Sequence, residues 1–153
     1  MSERSVTHST FVLERTYPQS PGRVFRAFSD PALKAKWFGG SEDKWTQKEK
    51  SFDFRVGGRE VSNGKFKDGP AIEFEATYWD IVPDERLVYS YWMLMDGKRI
   101  SVSLATIELK ATGKGTRLRL TEQGAYLDGF DDPTVREKGT NDLLDALGRS
   151  LTD

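Results

Sequence analysis

Apolar and polar residues alternate strictly through IEFEATY, residues 72–78 of the sequence. Successive side chains of a strand point to opposite faces, so this pattern predicts a strand with one buried and one solvated face. Similar patterns recur along the chain, and turn sequences such as Lys67-Asp68-Gly69-Pro70 and Asp96-Gly97 separate them. The predicted strands are residues 7–17, 52–56, 59–66, 72–78, 87–95, 100–109 and a last one around Leu118 and Leu120.

Helices are predicted at both ends of this series. Ser20-Pro21, Asp30-Pro31 and Asp132-Pro133 each place a capping side chain before a proline at the first helical position. The first two start short helices after the opening strand, and Gly39-Gly40 is expected to stop the second. The third starts a long C-terminal helix, whose apolar stripe consists of Leu143, Leu144, Leu147 and Leu151.

Antiparallel strands with helices at the two ends of the chain form an α+β fold. Gly57, Gly58 and Gly64 give the sheet places to bend, and Asn63-Gly64 is expected to be a bend or bulge within its strand. A curved sheet packed on one long helix leaves a concave space, which is the natural site for a ligand. We expect a single domain over residues 1–153, with its core at about 8–151.

Composition excludes several classes of function. The 153 residues carry 23 basic and 24 acidic side chains, a balance that argues against a nucleic-acid binder. Cysteine is absent and His8 is the single histidine, so we expect no metal site, no cofactor and no thiol chemistry. The first residues lack a signal peptide and no apolar run could span a membrane, which predicts a cytoplasmic protein.

Several short motifs, taken together, resemble a known family. They are residues 11–17 (FVLERTY), 21–25 (PGRVF), 30–39 (DPALKAKWFG), 85–89 (ERLVY), 115–124 (GTRLRLTEQG) and 139–144 (GTNDLL). In order and spacing they resemble the SRPBCC superfamily of START-like and birch-pollen-allergen-like domains. The subgroup they resemble most is similar to the C-terminal domain of the activator of heat-shock protein ninety ATPase.

The resemblance implies a helix-grip fold, in which a curved antiparallel sheet of six or seven strands surrounds a long C-terminal helix and an internal cavity. Members of the superfamily bind lipids, hormones or polyketides, and some are cyclases or hydroxylases. Many relatives have a tryptophan where this chain has Thr140 after Gly139. A smaller residue there would enlarge the pocket or change its polarity.

The residues predicted to line the ligand cavity are Arg15, Trp37, Phe38, Phe54, Phe74, Tyr78, Tyr89, Tyr91, Met93, Gly139, Thr140 and Leu143. Two interpretations stay open for the aromatic ones. Tyr89, Tyr91 and Met93 either line the cavity or belong to an ordinary central strand. Trp37 and Phe38 either gate the cavity or plug one end of the sheet as core. Trp92, at the opposite parity, is expected to face outward and would suit a homodimer surface.

Polar residues give weaker signals. Arg15 shares the parity of Phe11 and Leu13 and therefore points inward, where it needs a carboxylate partner or an anionic ligand head. Three strand carboxylates are candidates for an acid–base pair, namely Glu75, Glu108 and Glu122. The alternation around them favours a solvated face for all three.

Three functions remain open from the sequence. The first is binding of a small, mostly hydrophobic molecule in the cavity. The second is a polyketide-cyclase-like or hydrolase-like enzyme that uses the same cavity, although the sequence reveals no convergent acid–base pair. The third, implied by the resemblance, is contact with a chaperone, as in the activator of heat-shock protein ninety ATPase.

Overall fold

The computed structural model of the protein describes residues 3–39 and 43–152, and Gly40 lies outside them. Within these residues the elements are β1 (Val6–Tyr17), α1 (Pro21–Ser29), α2 (Pro31–Lys34), β2 (Trp45–Phe52), β3 (Arg59–Phe66), β4 (Ala71–Val82), β5 (Arg86–Met95), β6 (Lys98–Thr112), β7 (Gly115–Leu127) and α3 (Pro133–Ser150). The strands form one antiparallel sheet in the order β1-β7-β6-β5-β4-β3-β2. The predicted α+β helix-grip fold is confirmed.

All three predicted helix starts are present. The side chain of Ser20 accepts a hydrogen bond from the backbone N–H of Arg23, and Asp30 accepts from Ala32 and Leu33. Asp132 accepts from the N–H of Thr134 at the start of α3. In each case the cap satisfies backbone donors that the first turn of a helix leaves free.

One predicted strand was wrong. Residues 52–56 were expected to form a strand, but β2 runs from Trp45 to Phe52 and residues 53–58 form the connection to β3. The sequence pattern did not indicate β2, because this strand lies at the edge of the sheet and its residues 46–51 are all exposed. With neither face buried, no apolar alternation is needed.

The irregularity expected at Asn63-Gly64 lies on the neighbouring strand. Gln47 pairs with Gly64 and Glu49 pairs with Asn63, which leaves Lys48 as the extra residue of a bulge in β2. Gly64 serves another purpose, because a Cβ there would collide with the indole ring of Trp45. The glycine therefore permits close approach of a ring to the backbone.

The C-terminal half of α3 closes one end of the core. Leu144, Leu147 and Leu151 are buried, and Leu143 packs partly buried against the same cluster. The Tyr17 hydroxyl of β1 donates a hydrogen bond of 2.7 Å to the carbonyl of Leu144. The helix is thus held against the first strand, and its N-terminal half lies over the middle of the sheet.

We expect Leu147→Ala to lower the free energy of unfolding by about 2–5 kcal/mol, because the fully buried side chain would leave a cavity. Denaturant unfolding measures the change. Leu143→Ala is the matched control, since Leu143 already borders open space and its removal should cost less. Equal losses from both variants would contradict the packing described for α3.

Candidate ligand-binding cavity

A cavity of about 450 Å³ lies between α3 and the concave face of the sheet. Its walls come from residues of β2 to β7, from α1, α2 and the residues that follow α2, and from residues 131–144 at and before the start of α3. At the rim, Phe66 is 43% and Val135 is 63% exposed. Apolar side chains therefore border the opening as well as the interior.

Most residues predicted for this site meet there. The cavity is lined by Trp37, Phe38, Phe74, Tyr89, Tyr91, Met93, Gly139, Thr140 and Leu143. Leu87, Met95, Ile100, Ile107 and Leu120 add to the apolar wall. Tyr89, Tyr91 and Met93 were predicted from the alternation along β5, which places these three side chains on one face of the sheet.

Arg15, Phe54 and Tyr78 do not line the cavity. The guanidinium of Arg15 lies beside α3, where its Nε is 3.1 Å from the Asp145 carboxylate and its Nη2 is 2.7 Å from the Asn141 side-chain oxygen. Asp145 is thus a carboxylate partner, the first of the two alternatives predicted for Arg15. Phe54 and Tyr78 pack on each other with ring centroids 4.9 Å apart, within the core beside the cavity.

Aromatic rings form a continuous wall. Ring centroids are 5.8 Å apart for Trp37 and Phe38, 5.3 Å for Phe38 and Phe74, and 5.1 Å for Phe74 and Tyr91. Tilted and edge-to-face contacts at these distances are favourable for aromatic pairs. The indole N–H of Trp37 donates to the carbonyl of Ala27 at 2.9 Å, so this ring is both a core residue and part of the cavity wall.

A buried polar cluster opens onto the cavity from β5, β7 and α3. The hydroxyl of Tyr91 donates to Glu122 at 2.8 Å, and Arg136 donates to the Tyr91 oxygen at 3.0 Å. Arg136 also donates to Ser101 at 2.8 Å and pairs with Asp131 at 2.5 Å. We call Glu122, Tyr91, Arg136, Asp131 and Ser101 the arginine cluster.

The expectation that Glu122 is solvated was wrong. Its side chain points inward and the residue is 3% exposed, whereas Glu108 is exposed and Glu75 pairs with Arg59. Burial raises the pKa of Glu122, and the Tyr91 hydrogen bond and Arg136 oppose that rise only in part. The sequence did hold the signal, because Glu122 shares the parity of Leu118 and Leu120.

A second buried cluster was not found from sequence. Lys34 Nζ lies 2.5 Å from Glu60 and 3.3 Å from the Tyr78 hydroxyl, which itself donates to Glu60 at 2.5 Å. Lys34 borders the cavity and lies 4.5 Å from the centre of the Phe38 ring. Burial lowers the pKa of Lys34, and Glu60 counteracts this shift. We call Lys34, Glu60 and Tyr78 the lysine cluster.

Known proteins were compared with this sequence and fold. The sequence model of the family "Activator of Hsp90 ATPase homolog 1-like protein" matches residues 18–152. The chain belongs to this family. No curated protein matched the sequence.

Solved structures that are similar to this chain agree with the fold. The protein Mll3558 of Rhizobium loti is 51% identical, with 95% of this chain and 99% of that chain covered and a TM-score of 0.88. An uncharacterised protein of Rhizobium leguminosarum is 39% identical over 99% of both chains, with a TM-score of 0.93. The AHSA1-like protein of Aeromonas hydrophila, at 23% identity and a TM-score of 0.70, covers 94% of this chain and 92% of its own and shares the fold.

In this member of the family, Thr140 lies where α3 borders the cavity. The residue is 8% exposed, and its hydroxyl donates to the carbonyl of Arg136 one turn earlier at 2.9 Å. A Cβ on Gly139 beside it would meet no atom within 4 Å apart from its chain neighbours and the nearby backbone of its own helix. The two small residues keep this part of the cavity open. Among the helices that the structure describes, none has both the length and the apolar character needed to cross a bilayer.

The raised pKa of Glu122 predicts a pH dependence of stability. A carboxyl with a higher pKa in the folded chain stabilises the fold fully below its unfolded pKa, and this contribution is lost as the pH rises through the folded pKa. The free energy of unfolding, measured from about pH 4 to about pH 8, should therefore fall in the parent as this contribution is lost, and the variant Glu122→Gln should lack this fall. The variant Glu108→Gln, which removes an exposed carboxylate, should show the same fall in the free energy of unfolding as the parent. Identical pH profiles for the parent and Glu122→Gln would contradict the assignment.

Proposed function

We propose that this protein binds a small, mostly hydrophobic molecule in the cavity between the sheet and α3. The observation that carries the proposal is the lining, which is largely aliphatic and aromatic and continues to an apolar rim. A cavity of about 450 Å³ is within the usual range for small-molecule sites, about 300–1,000 Å³. Burial of apolar surface supplies about 25 cal/mol for each Å² removed from water.

Native mass spectrometry of the freshly purified protein tests this function. We expect a species heavier than the polypeptide that reverts to the mass of the chain on denaturation, and extraction should then recover an organic molecule. The same preparation should also bind an apolar dye saturably. A preparation that carries no molecule and binds no apolar dye would contradict the proposal.

A second candidate is an enzyme that uses the same cavity, as the polyketide-cyclase-like or hydrolase-like alternative requires. One observation favours it: Tyr91 and Glu122 form a hydrogen-bonded pair on the cavity wall, and the pKa of Glu122 is raised. A raised pKa moves the titration of a carboxyl group towards neutral pH, as general acid–base catalysis requires.

Hydrolysis of nitrophenyl esters separates the two candidates. We expect no turnover by the parent, because no activated nucleophile lies beside the pair among the residues described. Turnover that disappears in Glu122→Gln would favour the enzyme. A chaperone contact, and a homodimer through the outward-facing Trp92, stay predictions that the structure does not test.

A further inference from the structure

Both cations that the described residues place on the cavity wall have an acidic partner. Lys34 is paired with Glu60, and Arg136 is paired with Asp131, each at 2.5 Å. The four side chains are between 6% and 12% exposed, so water screens these pairs little. An anionic ligand would therefore find no unpaired cation among the described residues of the wall.

A cationic ligand is not favoured either. Among the described residues, Glu122 is the acidic group on the wall that is not paired with Lys34 or Arg136 in a salt bridge. It accepts a hydrogen bond from Tyr91 and lies near the positive charge of Arg136, which would repel a cationic ligand. Burial raises the pKa of Glu122, which favours the uncharged acid. A ligand charge of either sign would be desolvated without a dedicated counter-charge, and such burial is costly.

Three neighbouring tyrosines differ in how their hydroxyls are used. Tyr78 donates to Glu60 and Tyr91 donates to Glu122. Tyr89 lies between them, with its ring centroid 5.7 Å from that of Tyr78 and 6.2 Å from that of Tyr91. Throughout residues 3–39 and 43–152, no side chain or backbone group forms a hydrogen bond with the Tyr89 hydroxyl, and Tyr89 lines the cavity.

We propose that the ligand is an uncharged, mostly apolar molecule with one hydroxyl or carbonyl oxygen, and that the Tyr89 hydroxyl donates a hydrogen bond to this oxygen. The inference rests on the proposed function, since it presumes a ligand in the cavity. Burial raises the pKa of Tyr89, so the phenol keeps its proton and remains a donor. An apolar wall with one positioned polar group is a common arrangement for orienting a small ligand.

Four naphthalene probes of similar size test the inference by calorimetric titration at pH 7. They are 2-naphthol, 2-methylnaphthalene, 2-naphthoate and protonated 2-(aminomethyl)naphthalene. We expect 2-naphthol to bind tightest, 2-methylnaphthalene about fivefold more weakly for want of one hydrogen bond, and the two charged probes at least about tenfold more weakly than 2-naphthol.

The variant Tyr89→Phe should remove the preference for 2-naphthol and leave the affinity for 2-methylnaphthalene unchanged. Unchanged binding of the methyl probe also shows that the variant is folded with its cavity intact. Tyr126→Phe is the matched control, because Tyr126 is buried with an unbonded hydroxyl and does not line the cavity. It should keep the full preference for 2-naphthol.

The possible failures are distinguishable. If no probe binds the parent, the proposed function itself fails. If the probes bind but a charged one equals or exceeds 2-naphthol, the inference of an uncharged ligand is overturned. If the preference for 2-naphthol survives in Tyr89→Phe, the assignment of Tyr89 is overturned, while the proposed function stands.

Discussion

Replacement of Thr140 by tryptophan is expected to abolish binding of apolar molecules while the protein stays folded. Thr140 lines the cavity from α3, on the helix face shared with Leu143 and Leu144. An indole ring there would occupy the volume that a ligand needs. We expect an affinity loss of at least about 100-fold, equivalent to about 2.7 kcal/mol, measured by titration with 2-methylnaphthalene.

Two controls keep this result interpretable. Overpacking of the cavity wall costs about 1–3 kcal/mol, so unfolding of Thr140→Trp must be measured beside binding. Lys138→Trp adds the same ring to α3 at a side chain that is 77% exposed, and it should bind the probe like the parent. A folded Thr140→Trp variant that binds as tightly as the parent would show that the ligand lies elsewhere.

Replacement of Lys34 by methionine is expected to destabilise the protein by about 3–5 kcal/mol, because it leaves the buried carboxylate of Glu60 without its cation. Glu60 and Lys34 have side chains only 6% and 12% exposed, so water cannot substitute for the lost partner. Denaturant unfolding at neutral pH measures the loss.

The double variant Lys34→Met with Glu60→Gln is the control for this prediction. The side-chain amide introduced by Glu60→Gln can still accept the hydrogen bond from the Tyr78 hydroxyl. Because the amide is neutral, no unpaired charge is left buried. We expect it to recover a large part of the stability lost in Lys34→Met. A single variant as stable as the parent would mean that the pair contributes little to the fold.

Local rules were sufficient to predict most of the fold from sequence. A cap followed by proline marks each helix start, and strict alternation marks strands such as β4, where one face is buried. The leucine stripe of α3 is equally local, because residues three or four apart share a helix face. These patterns arise because one face of each element is buried, so they are absent from elements whose faces are both exposed. The exposed edge strand β2 was therefore misplaced.

The apolar part of the cavity was also predictable, but its polar part was predictable only in part, since the parity of Leu118 and Leu120 indicates that Glu122 points inward. Tyr89, Tyr91 and Met93 follow from the parity of one strand, since all three point to the concave face. Glu60 and Glu122 are buried because partners from distant parts of the chain meet them, namely Lys34 and Tyr91. A charged residue in a strand is solvated more often than buried, and only the assembled fold identifies the partner of a buried one.

Methyl NMR during titration with 2-methylnaphthalene tests the central claim, that a small apolar molecule binds between the sheet and α3. Labelled isoleucine and methionine methyl groups report on the site directly, because Ile72, Ile100, Ile107, Met93 and Met95 line the cavity whereas Ile81 does not. We predict saturable shifts for these cavity methyl groups and an unchanged signal for Ile81. Shifts confined to Ile81, or no saturable shift in any cavity methyl group, would contradict the claim.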